Sequence, residues 1–282
     1  MKDVHHLLAS LIPLILLIAC LTPGIAVAAP RYAVAIEATP VLNSPDLRTA
    51  LTRRDTCGQV RAVEFIALPG TVFTITGEQK SDGLTVYRVT SIDYPYPSAT
   101  GYFVDSRGVR LEREKPAERG RSLPGRAAII AAMKRRVGTG YVWGGNVAEG
   151  IRDGWGEGNI NLLAGLDCSG LLYEATGGYT PRNTGSLVNY GSAVPISGKT
   201  AETIAAGLRP LDLIAWPGHV LIVIDDGNVI ESRLVCGKTG EGVRIRPVRT
   251  ALADIMRSRR PVDAIRDKAR EFVVRRWYRA AE

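Results

Sequence analysis

Residues 32 to 111 are short runs of β-forming residues cut by turn residues, a pattern that confines the first part of the chain to an all-β unit. Thr71-Val72-Phe73-Thr74-Ile75, Leu84 to Val89 and Gly101 to Val104 alternate or cluster β-branched and aromatic side chains. Pro69-Gly70, Ser81-Asp82-Gly83 and Pro95-Tyr96-Pro97 separate them with residues suited to tight turns. Runs this short, joined by such turns, predict a compact barrel over residues 30–111.

The pattern changes beyond residue 111. Residues 112–125 are charged, contain Pro116 and Pro124, and read as a linker. A helix is expected from Gly125 or Arg126 to about Val137, with Ala127, Ile130, Ala131 and Lys134 on its packed face. Residues 146–165 are rich in Gly, Asn and charge and read as a long loop that includes Trp155. A second helix is expected from Cys168 to about Ala175, and strands at 212–216, 219–224, 229–233 and 243–248. A basic helix over about 263–279 closes the chain, with the arginines from Arg257 to Arg279 on a solvated face. The order of these elements places a unit of helices and strands over 126–262 between the all-β unit and a C-terminal basic helix in 263–282. A chain of 282 residues suits two such domains.

The N-terminus reads as an export signal. Lys2 precedes the apolar stretch Leu7 to Leu21, and Ala26-Val27-Ala28 supplies a small-x-small site before Ala29, so residues 1–29 read as a signal peptide. Leu17-Ile18-Ala19-Cys20 supports a second reading, in which Cys20 is lipidated and becomes the first mature residue. Both place the protein in the periplasm or cell envelope, with membrane contact only through the lipid of the second. Pro13 interrupts the stretch, which is short for a spanning helix. The net charge of +8 favours polyanions. The cations are scattered and do not interleave with aromatics, so nucleic acid is not an expected partner. Export would allow Cys57 and Cys236 to form a disulfide; bridged and free thiols both remain open. One histidine outside the leader and no C-x-x-C pair supply no zinc spacing, so neither metal nor other cofactor is expected. Oligomeric state leaves no mark on the sequence.

The remaining histidine, His219, stands in the strand-like run Gly218 to Ile224, fifty-one residues after Cys168 in Asp167-Cys168-Ser169-Gly170. A cysteine at a helix start and a histidine on a strand are the parts of thiol acyl-transfer chemistry. Asp167 is a good N-cap, which places the Cys168 sulfur near the positive end of the helix dipole, where the thiolate is favoured. His219 would take the thiol proton and return it to a leaving amine. A third group must orient the ring, and Glu231, twelve residues further on, is the candidate. Parity tests this: a strict two-residue hairpin at Asp226-Gly227 would turn Glu231 away from His219, whereas an odd loop or a bulge puts both on one face, so Glu231 in this role predicts a three- or five-residue loop around Asp225 to Gly227.

Tyr141-Val142-Trp143-Gly144-Gly145, Asp167-Cys168-Ser169-Gly170 and Gly218-His219-Val220, in that order, closely resemble the NlpC/P60 cysteine peptidases of the bacterial cell wall. Arg209-Pro210-Leu211-Asp212-Leu213 resembles the turn before the family's histidine strand, with Leu211 where Gly is usual, and Pro181-Arg182 resembles its Pro-Arg segment. The resemblance covers about residues 126–248; the stretch from Gly70 to Val104 resembles bacterial SH3-like domains. It implies a papain-like α+β fold behind an SH3-like barrel, and hydrolysis of the γ-D-glutamyl bond to diaminopimelate or lysine in peptidoglycan stem peptides. It implies Cys168 as nucleophile and His219 as base, with Tyr141 and the Cys168 backbone N–H at the oxyanion. Asp167 and Ser169 resemble residues that bind the amino end of the stem, and Arg182 joins them as a substrate-binding candidate. Two other functions fit the same Cys-His pair: an acyltransferase or transpeptidase, and a wall-binding protein without catalysis. The chain departs from the pattern in its long loop, in Ser186 and Leu187 where a glutamine is common, and in Glu231 where His, Asn or Gln is more usual.

Overall fold

The computed structural model describes residues 31–81, 83–151, 163–237 and 241–278. The leader with Cys20, and Trp155, lie outside the described residues. The first unit consists of β1 (Arg31–Ala35), β2 (Thr39–Leu42), β3 (Val63–Ala67), β4 (Val72–Ser81), β5 (Leu84–Thr90), β6 (Tyr102–Asp105) and β7 (Val109–Glu112). They form one sheet in the order β3-β2-β6-β5-β4-β1-β7, every pair antiparallel. Its core is aromatic, with Phe65 stacked on Tyr94 at 4.6 Å. Between β2 and β3 the chain leaves the sheet, forms α1 (Leu47–Thr52) capped by Asp46, and returns past Cys57, Gln59 and Arg61.

The second unit begins at α2 (Arg126–Arg135) and continues through β8 (Asn146–Val147), β9 (Gly165–Leu166), α3 (Cys168–Ala175), α4 (Thr184–Leu187), β10 (Ser192–Val194) and α5 (Ala201–Gly207). Then follow β11 (Leu213–Trp216), β12 (His219–Val223), β13 (Asn228–Arg233), β14 (Gly242–Pro247), α6 (Val248–Met256), β15 (Arg260–Pro261) and β16 (Glu271–Arg276). The main sheet runs β10-β16-β11-β12-β13-β14. Alternate residues of its strands enter two cores: Leu213, Val220, Ile222 and Val273 with Ile129, Leu171 and Leu172, and Ile214, Leu221, Val223 and Phe272 with Ile204 and Leu252. Helices therefore cover both faces, which explains why the middle strands are apolar at successive positions rather than alternating.

Two expectations are corrected. On α2 the deeply buried residues are Ile129 and Met133, one turn apart; Ala127, Ala131 and Lys134 are exposed and Ile130 is only partly covered. The sheet, not the average period, chose the stripe. The C-terminal segment is strand β16 between β10 and β11, not a helix. Phe272 and Val274 enter one core and Val273 the other, and a slot open on both faces favours β-branched side chains in a strand. The turn before it is held by Glu271, whose carboxylate accepts from the N–H groups of Arg266 and Asp267 and pairs with Arg260. Of the tail arginines, Arg275 is buried and Arg276 pairs with Asp212 at 2.6 Å, so these two do not lie on a solvated face.

The units are joined by more than the linker. Buried Asp93 accepts from Arg119, Arg121 and the Tyr173 hydroxyl. Asn146 pairs with the backbone of Ile66 as a strand residue would, accepting its N–H at 2.9 Å and donating to its carbonyl at 2.8 Å. Leu42, Leu47, Val63 and Ile66 share a core with Ile151 and Leu163. Cys57 and Cys236, left open by the sequence, are joined as a disulfide across 179 residues.

Candidate active site

Cys168 is the first residue of α3, and Asp167 caps that helix by accepting the Gly170 N–H at 2.7 Å. The first N–H groups of a helix have no partner within it, so the Cys168 N–H is available to an incoming oxyanion. The helix start is fixed by close backbone approach. A Cβ on Gly170 would lie 1.9 Å from the Gly145 carbonyl oxygen, and Gly144, at φ +73°, faces the Val63 carbonyl. The glycines of both motifs thus serve packing around the sulfur.

His219 begins β12 and is paired with Trp216 across the Pro217-Gly218 turn. Ile222 faces Ile230 and Val223 faces Val229, and the hydrogen bond from Ile224 N–H to Asn228 O closes a three-residue connection, Asp225-Asp226-Gly227. The odd loop puts His219 and Glu231 on one face, and His219 Nε2 lies 2.7 Å from Glu231 Oε2. Nδ1 is left for the sulfur, which comes from α3 and lies 4.0 Å from the Gly218 carbonyl. Burial of the ring opposes its charge, but hydrogen bonds to Cys168 and Glu231 outweigh it and push the imidazole up to about 9.

Glu231 is only 2% exposed and has further cationic partners. Its Oε1 accepts from Arg244 at 2.9 Å and Arg246 at 3.4 Å. Burial opposes its charge, but the bond to His219 and then Arg244 prevail and hold the carboxyl down at about 2. Sequence reasoning missed both arginines. The signal was the alternation Arg244-Ile245-Arg246 in a strand directly opposite Glu231, with the isoleucine outward.

Tyr141, Trp143, Trp216 and His219 line a cavity of about 430 Å³ together with Arg61 of the first unit. Burial, followed by the charges of Asp167 and Cys168, pushes the Tyr141 hydroxyl well above the ordinary phenol range, so it remains a neutral donor. Arg61 stacks on Trp143 at 4.2 Å. Gln59, also unforeseen, accepts the Trp143 N–H at 2.9 Å and donates to the Tyr141 carbonyl at 3.5 Å.

Asp167, Ser169 and Arg182 sit together behind the helix start. Arg182 donates to both Asp167 oxygens, at 2.6 and 3.0 Å, and to Ser169 Oγ at 2.9 Å. It also bonds Asn146 and the Gly145 carbonyl. Burial opposes the guanidinium charge and Asp167 more than restores it. All three residues are buried, their polar atoms are used on one another, and none lines the cavity. In this arrangement they fix the position of Cys168.

No family model matches the chain, and no curated protein does. Solved structures similar to it are NlpC/P60-domain proteins. The peptidoglycan hydrolase RipB of Mycobacterium tuberculosis is 24% identical over 55% of this chain and 65% of its own, with a TM-score of 0.34. This chain thus spans less than two thirds of that protein's length. RipD of the same organism, a non-catalytic NlpC/P60-domain protein adapted to peptidoglycan binding, is 21% identical over 54% of this chain and 97% of its own, TM-score 0.34. NlpC2 of Trichomonas vaginalis is 16% identical over 88% of this chain and 72% of its own, TM-score 0.34.

Proposed function

We propose that this chain is a cell-envelope cysteine peptidase of the NlpC/P60 kind that hydrolyses the γ-D-glutamyl bond to a diamino acid in peptidoglycan stem peptides. The observation that carries the reading is the ordered set Cys168, His219 and Glu231: sulfur at a helix start, imidazole beside it, and a buried carboxylate 2.7 Å from the far ring nitrogen. The non-catalytic reading leaves that alignment without a purpose.

The thiol of Cys168 gives its proton to His219 and the sulfur attacks the γ-carbonyl carbon. The Cys168 N–H and the Tyr141 hydroxyl stabilise the oxyanion. The C–N bond breaks, the leaving amine takes the proton from His219, and a thioester remains. Water then attacks the thioester as His219 accepts its proton, and the carboxylate product and the Cys168 thiol are released. Glu231 holds the ring in register and stabilises the imidazolium. In this reading the SH3-like unit forms one wall of the cleft, lining it with Arg61 and holding the Trp143 backbone through Gln59.

The test is digestion of purified stem peptides by the protein and by Cys168→Ala, read by mass spectrometry. A cut at the γ-D-glutamyl bond that disappears in the variant is the expected result. Binding without any cut would favour a wall-binding protein, and coupling to an added amine would favour an acyltransferase.

A further inference from the structure

We propose that the cavity on the imidazole side of the sulfur is a carboxylate-binding subsite for the leaving half of the substrate, with Arg259 as its specificity-determining residue. The proposal rests on the peptidase reading for the direction of the substrate. The imidazole must reach the departing nitrogen, so the leaving half lies on the His219 side of the sulfur. That side opens into the 430 Å³ cavity.

The charges in that cavity are unbalanced. Arg61, Arg233, Arg246 and Arg259 line it against two carboxylates, Glu231 and Asp254. Both carboxylates are engaged: Glu231 by His219, Arg244 and Arg246, and Asp254 by Arg246 and Arg257. Arg61 pairs with Asp55. Among the described residues Arg233 and Arg259 have no carboxylate partner, and Arg233 is exposed at the end of β13.

Arg259 is partly buried and built in. Its guanidinium lies 4.9 Å over the Trp216 ring, and its Nη1 donates to the carbonyls of Lys268 at 3.2 Å and Glu271 at 3.4 Å. Nε and Nη2, the edge that pairs with a carboxylate in bidentate fashion, have no partner among the described residues. Burial holds the group below its ordinary range and outweighs the opposing charge of Asp267, which makes no ion pair with it among the described residues.

The reach fits. Trp216 is in contact with both, 5.3 Å from the His219 ring and 4.9 Å from the Arg259 guanidinium, so the two steps set the upper limit of the separation to be spanned. A leaving amine sits about 3 Å from the imidazole nitrogen, its own carboxylate carbon is about 2.5 Å further, and a paired guanidinium carbon is about 4 Å beyond that. The total is comparable to the two ring-to-ring steps from His219 to Arg259.

The experiment compares L-alanyl-γ-D-glutamyl-L-lysine with its C-terminal carboxamide, which differ only in the charge on the leaving residue. The wild-type protein is expected to favour the acid by about 10–100-fold in kcat/KM, the range of one charge-assisted bidentate contact. Arg259→Ala should bring that ratio to about one, Arg259→Lys should keep part of it, and Arg270→Ala, an exposed arginine outside the cavity lining, should keep it in full. Binding of the same pair to Cys168→Ala by calorimetry tests the subsite without turnover. Equal affinity for acid and amide there, or an acid preference that survives Arg259→Ala, overturns the subsite even if both peptides are cut. Acid-selective binding without cleavage in the wild type would overturn the peptidase reading and leave the subsite standing.

Discussion

At the scale of single residues, pH is the most direct probe. In the proposed reaction His219 carries a proton to the leaving amine, and its titration is pushed up to about 9, so kcat/KM should fall as pH rises through that value. Glu231→Gln removes a negative charge 2.7 Å from the ring and should move this alkaline limb down by about one unit or more. It should also lower the rate by about 10–100-fold, the worth of a charge-assisted hydrogen bond. A pH-rate profile of both proteins checks the two effects together. The same groups act on stability with opposite signs. The raised histidine stabilises fully below its ordinary value and loses that contribution as pH rises through about 9. The depressed Glu231 stabilises above its ordinary value and loses it as pH falls through about 2. Leu211 is a second case where magnitudes decide. It holds φ +73° although it is not glycine, and its side chain is fully buried. Leu211→Gly would relieve about 1–2 kcal/mol of left-handed strain. Losing a buried leucine costs about 2–5 kcal/mol, and glycine adds about 0.5–1 in chain entropy. Urea unfolding should therefore show net destabilisation of about 0.5–5 kcal/mol. Sequence marked the position as unusual, but only the packed core explains why leucine is kept there.

At the scale of elements, α3 and the β12–β13 hairpin were the most legible. The N-cap at Asp167 and the span of the helix follow from local chemistry, because caps depend on neighbouring residues, whereas the odd loop is expected only from the need for Glu231 to face His219. The docking of α3 does not. Gly170→Ala adds intrinsic helix propensity of about 1 kcal/mol, yet its methyl would meet the Gly145 carbonyl at 1.9 Å. Overpacking against backbone costs about 1–3 kcal/mol and more where the contact is this close. The variant should unfold at lower denaturant and lose most of its turnover, because the sulfur moves with the helix. Steady-state kinetics beside equilibrium unfolding separates the two losses. The last strand was the least legible element. Its arginines and ordinary helix formers suit a helix until the slot between β10 and β11 demands Phe272, Val273 and Val274 in two cores at once.

At the scale of the whole molecule, the β unit is fastened to the unit that carries Cys168 and His219 on the cleft side. The Cys57–Cys236 disulfide closes 179 residues, and between Cys57 and the cleft lie Gln59 and Arg61, which hold Trp143 and the Tyr141 backbone. Cys57→Ser with Cys236→Ser should destabilise the protein by about 2–4 kcal/mol. It should also raise KM more than it lowers kcat, because the cleft wall loosens while Cys168 and His219 keep their own elements. Thermal unfolding and kinetics of the double variant, with Cys168 kept reduced in both samples, test this. The sequence by itself determined the run of short strands in the first part of the chain, the helix start that carries Cys168 and the strand that carries His219. Those depend on periodicity, capping and turn length, which act over a few residues. Only the tertiary structure decided that Asp167, Ser169 and Arg182 turn inward on each other, that Arg244 and Arg246 flank Glu231, that Cys57 meets Cys236, and that Arg259 faces the cavity beyond Trp216. Each of these joins residues distant in the chain or fixes a side-chain partner, and burial and charge balance in three dimensions select such contacts.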